Sequence, residues 1–432
     1  MAGTDNSPNR SLFSGHVIVV GGGVVGASIA WELRRRQNER GATTSARVTV
    51  IDQHDEPIHG RSGAADSGTS TNTTIAAAGI LPAPDPGFGD AVEQLRCISH
   101  PLHAKWSRRL RDETGIDNGL VRCGGIYLAT RPGEVAAMAA SVADWRMSGI
   151  DVQDLSVEDV ARDQPAIADV VRRNRRSMFR AWYVPDEHRI HAVNHLAALR
   201  SACLHCGVRW RASTIVKEID SVESSAENTG QRALRLIDAQ GNSTQDGNPS
   251  NEDGEMISAD AVVLATGAWT SLLGPSFPVP RNIYPVRGQM LCYRDAGSMD
   301  RPFGISRIIN EGHRYLVPRG DGTLLVGSNE EEAGFDCRTT QTQLDRMRQW
   351  AGQWVSRLAS ESPIDSWAGL RPASMDTFPY IGRVPETDNV FVAAGHFRSG
   401  IHLSCGTALL IADMLEDKPP LMDLSPFRVG RG

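Results

Sequence analysis

Residues 16–33 read HVIVVGGGVVGASIAWEL. Four β-formers, Val17, Ile18, Val19 and Val20, run straight into Gly21-Gly22-Gly23-Val24-Val25-Gly26, and a helix-forming run follows at once. A Gly-x-Gly-x-x-Gly loop between a strand and a helix is the arrangement that seats a pyrophosphate. Gly21 permits the tight turn, Gly23 lets the backbone approach the phosphates, and Gly26 lets the helix lie close to the strand. Val24 and Val25 open the helix, whose free N–H groups carry partial positive charge. A dinucleotide also needs an acid at the end of the next strand to hold ribose hydroxyls. Val48-Thr49-Val50-Ile51-Asp52 supplies one in Asp52. It comes later than the usual gap of about 20 residues, because polar residues 37–47 extend the turn before it.

The rest of the chain is read outward from this loop. A length of 432 residues allows two or so domains. A net charge of −6 argues against nucleic acid or an anionic membrane as partner. No apolar run is long enough to span a bilayer. Residues 1–15 lack the apolar core of a signal peptide, so a cytoplasmic location is the default expectation. Seven scattered cysteines do not form a disulfide framework. Cys203 and Cys206 form a C-x-x-C late in a probable helix. With no second pair and no strand leading in, they read as two helix cysteines, and no metal site is expected.

Residues 53–72 are a long polar loop. Residues 73–80 then turn small, and two readings of Thr73, Thr74, Ala77, Ala78 and Gly79 stay open: a segment along the far half of a dinucleotide, or the start of a buried Ala-rich helix. Residues 101–186 carry their own helices (101–115, 134–147) and strands without a dinucleotide signature, and so make a candidate second domain. Residues 260–269 (DAVVLATGAW) are a buried strand ending at Thr266-Gly267, the kind of carboxyl end where such sheets bind ligands. Residues 314–328 read as a hairpin turning at Gly320-Asp321-Gly322, and 341–358 as a helix with one apolar face. Near the end, the strand 390–394 meets Gly395-His396-Phe397-Arg398-Ser399-Gly400 and a helix from Ile401. This second strand–glycine–helix junction is a second place for negative charge. A nicotinamide would not need it. A flavin would, because reduction puts charge on one edge of its ring. The two junctions together favour FAD over NAD.

These stretches also carry a resemblance. With AAAGIL, PVRGQML, YLVPRGDGTLLVGSNEEEAGFD, WAGLRP, PYIGRVPE and VFVAAGHFRSGI, the chain resembles the D-amino acid oxidase/sarcosine oxidase family, and within it the glycine oxidases of thiamine-thiazole synthesis. The resemblance implies a mixed α/β fold, an FAD-binding Rossmann-like domain interleaved with a substrate domain on a large mixed sheet. The FAD-binding parts would be 15–100, 187–280 and 364–417, and the substrate parts 101–186 and 281–363. It implies that Arg371 pairs with a substrate carboxylate, whose geometry the guanidinium fork matches. Tyr315 would lie over the substrate, His313 would line the pocket, and Arg398 would sit at its rim. Val216 would meet the adenine through its backbone, and Thr266, Gly267, Trp269, His396, Phe397, Ser399, Gly400 and Ile401 would complete the cofactor site. No cysteine stands between Cys337 and Cys405, where related enzymes tether flavin, so FAD should be non-covalent. The implied reaction is oxidative deamination of glycine or another small amino acid, hydride passing from Cα to flavin N5, with oxygen taking the electrons to peroxide. The alternative is a D-amino acid dehydrogenase with another electron acceptor. Homo-oligomerisation is left open. Thr377, Ser399, Ile80 and Ser404-Cys405-Gly406-Thr407 depart from the family's usual residues and bear on which amine is used.

Overall fold

The computed structural model describes residues 12–41, 46–54, 72–87, 89–174, 179–221, 231–238, 255–273 and 282–431. Most of the 53–72 loop and of the polar region 223–257 falls outside them.

Two sheets dominate a mixed α/β fold. The first is Rossmann-like, with strand order Tyr380–Arg383, Val390–Ala394, Ala261–Leu264, His16–Val20, Arg47–Ile51, Arg209–Arg211. All neighbours are parallel except the edge strand Tyr380–Arg383. His16–Val20 is buried along its whole length, as a strand covered on both faces must be. Its alternation assigns the layers. Val17 and Val19 face the helices Val24–Glu39, Ala192–Cys206 and Gly400–Leu415. Ile18 and Val20 face the antiparallel strands Thr214–Ser221, Arg232–Asp238 and Glu255–Ala259 through Ile219, Leu234 and Leu236.

The second sheet has eight strands, ordered Asp365–Ser374, Ile283–Arg294, Thr323–Gly327, Arg314–Pro318, Ile308–Glu311, Gly125–Ala129, Arg180–Val184, Gln153–Leu155. Its outer face packs under Met347, Trp350 and Trp354 of the helix Gln341–Trp354. Its inner face carries Met290, Tyr315 and Trp367 against Ala76 and Ala78.

Two local expectations change, and one segment left open is decided. The helix expected over 101–115 is Ala91–Thr114, because Asp90 caps it (its carboxylate accepts from Val92 N at 2.5 Å) and Leu95, Ser99, His103, Trp106 and Leu110 keep one buried stripe running past Pro101. The helix expected to reach 358 stops at Trp354, where Val355 turns extended, and a short turn Arg357–Ser360 keeps Leu358 buried. Residues 73–76 form a turn rather than a helix start. Gly79 has a φ of 78°, and Ile80–Leu81 pairs with His188–Arg189. Cys203 and Cys206 are helix cysteines as expected, each thiol engaged with a backbone carbonyl. Among the described residues, no helix is long and apolar enough to cross a membrane.

Candidate functional site

A cavity of about 560 Å³ lies between the two sheets. The first glycine loop forms one wall. Gly21 has a φ of 104°, and a Cβ there would lie 2.4 Å from Ala265 O. At Gly26 a Cβ would lie 1.9 Å from Gly21 O, so this glycine packs beneath the loop and does not line the cavity. Gly23 differs, since its Cβ would meet only Thr74 Oγ1, at 3.4 Å. Gly23 is the N-cap of the helix Val24–Glu39, and Gly23, Val24 and Val25 all line the cavity, so the helix start faces it.

The turn at 73–76 ties this loop to the second sheet. Val24 N donates to Thr74 Oγ1 at 3.0 Å, Thr73 Oγ1 donates to Leu370 O at 2.7 Å, and Trp367 Nε1 donates to Ala76 O at 3.0 Å. Of the two readings of this segment, the helix start is not what the fold adopts: residues 73–76 turn and 77–79 run on along the cavity without forming a helix. Thr73, Thr74, Ala77, Ala78 and Gly79 all line it. Asp52 lines it too, accepting from Gly22 N at 3.0 Å and from His54 N at 3.0 Å. Val216, Thr266, Gly267 and Trp269 complete this part of the wall.

The opposite wall is built on one row across the second sheet, from which Met290, Tyr315, Asn310 and Tyr127 line the cavity. Successive strand partners are Trp367, Met290, Gly327, Tyr315, Asn310 and Tyr127. Directly paired residues share a face, so register alone brings the five side chains of this row together, with Gly327 between Met290 and Tyr315. One pair along on the same face, Gly288 stands opposite Gly369, and Arg371 follows next. The Arg371 guanidinium folds back over Gly288, where a Cβ would lie 2.2 Å from Nη2 and 2.3 Å from Nη1. Nη1 donates to Asn329 O at 3.0 Å and Nη2 to Ser328 Oγ at 2.7 Å. Both partners are neutral, and no carboxylate pairs with Arg371 among the described residues. Burial holds its pKa below the ordinary arginine value, while the neighbouring Tyr315 pulls it up. Tyr315 is buried, with its hydroxyl 3.4 Å from Met290 Sδ.

The C-terminal junction closes the cavity. His396, Phe397, Arg398, Ser399, Gly400 and Ile401 all line it. His396 is buried, shares a hydrogen bond with Thr407 Oγ1 at 3.0 Å, and has its pKa pushed down to about 4 by burial, so it is neutral at pH 7. Arg398 is half exposed at the rim and paired with Glu330 at 3.2 Å. His313 also lines the cavity, but from an exposed two-residue turn between Ile308–Glu311 and Arg314–Pro318. Of the residues singled out from sequence, all but Gly26 thus meet at one cavity. Gly288, Met290, Asn310, Ser328 and Asn329 were missed. Gly288 stands in the quoted PVRGQML, but nothing in the linear order says which side chain fills the space it leaves.

The chain matches a family model described as "FAD dependent oxidoreductase" over residues 16–414. It is 30% identical over 416 residues to a glycine oxidase of Geobacillus kaustophilus, covering 96% of each chain. It is 27% identical to a bifunctional ThiO/ThiG protein of Synechocystis, covering 95% of this chain and 54% of that one. The solved structure of the Geobacillus kaustophilus glycine oxidase superposes with a TM-score of 0.79, covering 96% of this chain and 98% of that one.

Proposed function

Because the chain belongs to the family of FAD-dependent oxidoreductases, we propose that it oxidises a small amino acid, glycine first among the candidates, whose carboxylate rests on Arg371 and Tyr315. The observation that carries this reading is Arg371 itself. A half-buried guanidinium on a cavity wall, whose partners among the described residues are neutral (Asn329 O, Ser328 Oγ and the Tyr315 side chain), has charge to spare for an anion. The cavity suits non-covalent FAD. Gly23 leaves the helix start open to a pyrophosphate, Asp52 stands at the end of the neighbouring strand for ribose hydroxyls, and the Gly395–Gly400 junction offers a second helix start at the other end of the chain.

When bound, the flavin supplies the acceptor for the two electrons leaving Cα. The chain's own residues bind and orient. Arg371 fixes the carboxylate in two dimensions through its planar fork. Tyr315 lies beside it and can donate its hydroxyl in place of the weak contact to Met290 Sδ. Holding the reacting atoms in line in this way can supply about 7–11 kcal/mol of a barrier. Asp52 is the one acid among the described residues lining the cavity, and it belongs to the glycine-loop wall. In this reading the substrate amine sheds its proton to solvent before reaction, and turnover rises with pH. The imine product takes up water to give oxo acid and ammonia, and oxygen takes two electrons and two protons to give hydrogen peroxide. We propose that this oxidation serves thiazole synthesis, as the resemblance implies; the similarity to proteins named bifunctional ThiO/ThiG supports the reading. Arg371→Ala tests the reading: KM for glycine should rise strongly in a peroxide-release assay, and an unchanged KM would remove the carboxylate role.

A further inference from the structure

Beyond the cavity, the helix Ala91–Thr114 faces the segment that follows the strand Arg180–Val184. His100, from the middle of that helix, meets Asp186 and His188 there. One potential ligand atom from each lies within 4.8 Å of the other two. His100 Nε2 is 3.6 Å from Asp186 Oδ2. Two ligands on a tetrahedral zinc, each about 2.0–2.1 Å from the metal, stand about 3.3 Å apart. The two rings meet edge to face, with centroids 4.7 Å apart.

The orientation of the imidazoles is the second observation. His100 is nine-tenths buried, its Nδ1 hydrogen-bonds His402 Nε2 at 3.0 Å, and its buried Nε2 has no hydrogen-bond partner among the described residues. His188 Nδ1 faces the Asp186 carbonyl at 3.2 Å. Each ring is therefore engaged through its Nδ1, which leaves Nε2 as its available ligand atom. That is how a metal-binding histidine is fixed by its outer neighbours. On the carboxylate, Arg122 Nε takes Oδ1 at 3.0 Å and leaves Oδ2 facing His100. A buried imidazole nitrogen with nothing to bond is costly by itself, and a cation would satisfy it.

We propose that His100, Asp186 and His188 form a site for one divalent first-row metal ion of the kind that accepts two imidazoles and a carboxylate, with water completing the shell. Zinc, cobalt and nickel fit this nitrogen and oxygen set; magnesium and calcium do not. The ion clamps the helix Ala91–Thr114 to the strand His188–Arg189. His402, which holds His100, also lines the large cavity, so the clamp adjoins the cofactor site without being part of it. The three ligands are absent from any linear metal motif because 86 positions separate His100 from Asp186.

The test is metal binding by chelator-treated, flavin-loaded protein, with zinc, cobalt and nickel titrated singly by calorimetry and bound metal counted by elemental analysis. The expected result is one saturable equivalent per chain. His188→Ala should weaken it by about tenfold or more, at least the loss seen when an outer-shell partner is removed. Asp186→Asn, which keeps the shape of the side chain, should weaken it likewise, and thermal melting of each variant reports that it is folded. No saturable binding by the parent protein, or one equivalent that both folded variants still bind with unchanged affinity, would overturn the site.

Discussion

Gly288→Ala is the sharpest perturbation the site offers. A Cβ at this position would lie 2.2 Å from Arg371 Nη2, 2.3 Å from Nη1 and 2.4 Å from Cζ. The guanidinium is the far end of a flexible side chain, so it yields rather than the sheet. It must retreat by about 1 Å to reach ordinary contact distance, and a misplacement of that size costs about a hundredfold in rate. That corresponds to about 2.7 kcal/mol of lost transition-state stabilisation. The retreat also breaks the bonds to Asn329 O and Ser328 Oγ that aim the fork. The strand register, Gly288 opposite Gly369, is not disturbed, so the variant should fold and hold flavin normally. The assay is peroxide release over a glycine concentration series, beside flavin content and a melting curve. A kcat/KM within about threefold of the parent, with flavin bound, would refute the reasoning that Gly288 exists to seat Arg371.

Three further outcomes follow from the same geometry. Tyr315→Phe removes one hydroxyl beside the carboxylate site and should raise KM by about tenfold, the worth of a single hydrogen bond; steady-state kinetics check it, and an unchanged KM would show that the hydroxyl stays on Met290 Sδ. Gly26→Ala puts a methyl 1.9 Å from Gly21 O, a backbone atom that cannot swing aside, so flavin content on purification should fall steeply. His103 and His396 have pKa values pushed down to about 4 by burial, and His195 to about 3 by burial and the neighbouring His103. The unfolded chain binds protons at these three below about pH 6.5 and the folded chain does not, so stability falls as pH falls from there toward 4. Each imidazole contributes about 1.4 kcal/mol per pH unit over that window. Urea midpoints at pH 7, 6 and 5 should therefore drop, and flat midpoints would contradict the burial argument.

Local grammar carried much of this fold into the sequence. The strand Val17–Val20, its glycine turn and its helix could be read because each residue type answers a backbone need at its own position. The same holds for Gly395–Gly400 and for the hairpin around Gly322. What could not be read depends on pairing across distance. The row Trp367, Met290, Gly327, Tyr315, Asn310, Tyr127 exists only once five registers are set. Gly288 looks like any strand glycine until Arg371 is seen lying over it. The apolar spacing read over 101–115 caught only the second half of the helix, whose start is set by the Asp90 cap and whose buried stripe runs from Leu95 past Pro101 to Leu110. His100, Asp186 and His188 meet through the packing of a helix on a two-residue strand, a contact that no spacing in the chain announces. The roles proposed for Arg371 and Tyr315 rest on family resemblance, since a strand arginine has no local signature.

The central claim is that amino acid oxidation occurs in this cavity with the carboxylate on Arg371. It is tested most directly by mixing the yellow, flavin-loaded protein anaerobically with glycine, sarcosine, D-alanine and D-proline in parallel, beside Arg371→Ala at matched flavin content. The account predicts that at least one of these, glycine foremost, bleaches the flavin absorbance of the parent protein and fails to bleach Arg371→Ala at the same concentration. A parent protein that none of the four bleaches, or an Arg371→Ala variant that bleaches as readily as the parent, would contradict it.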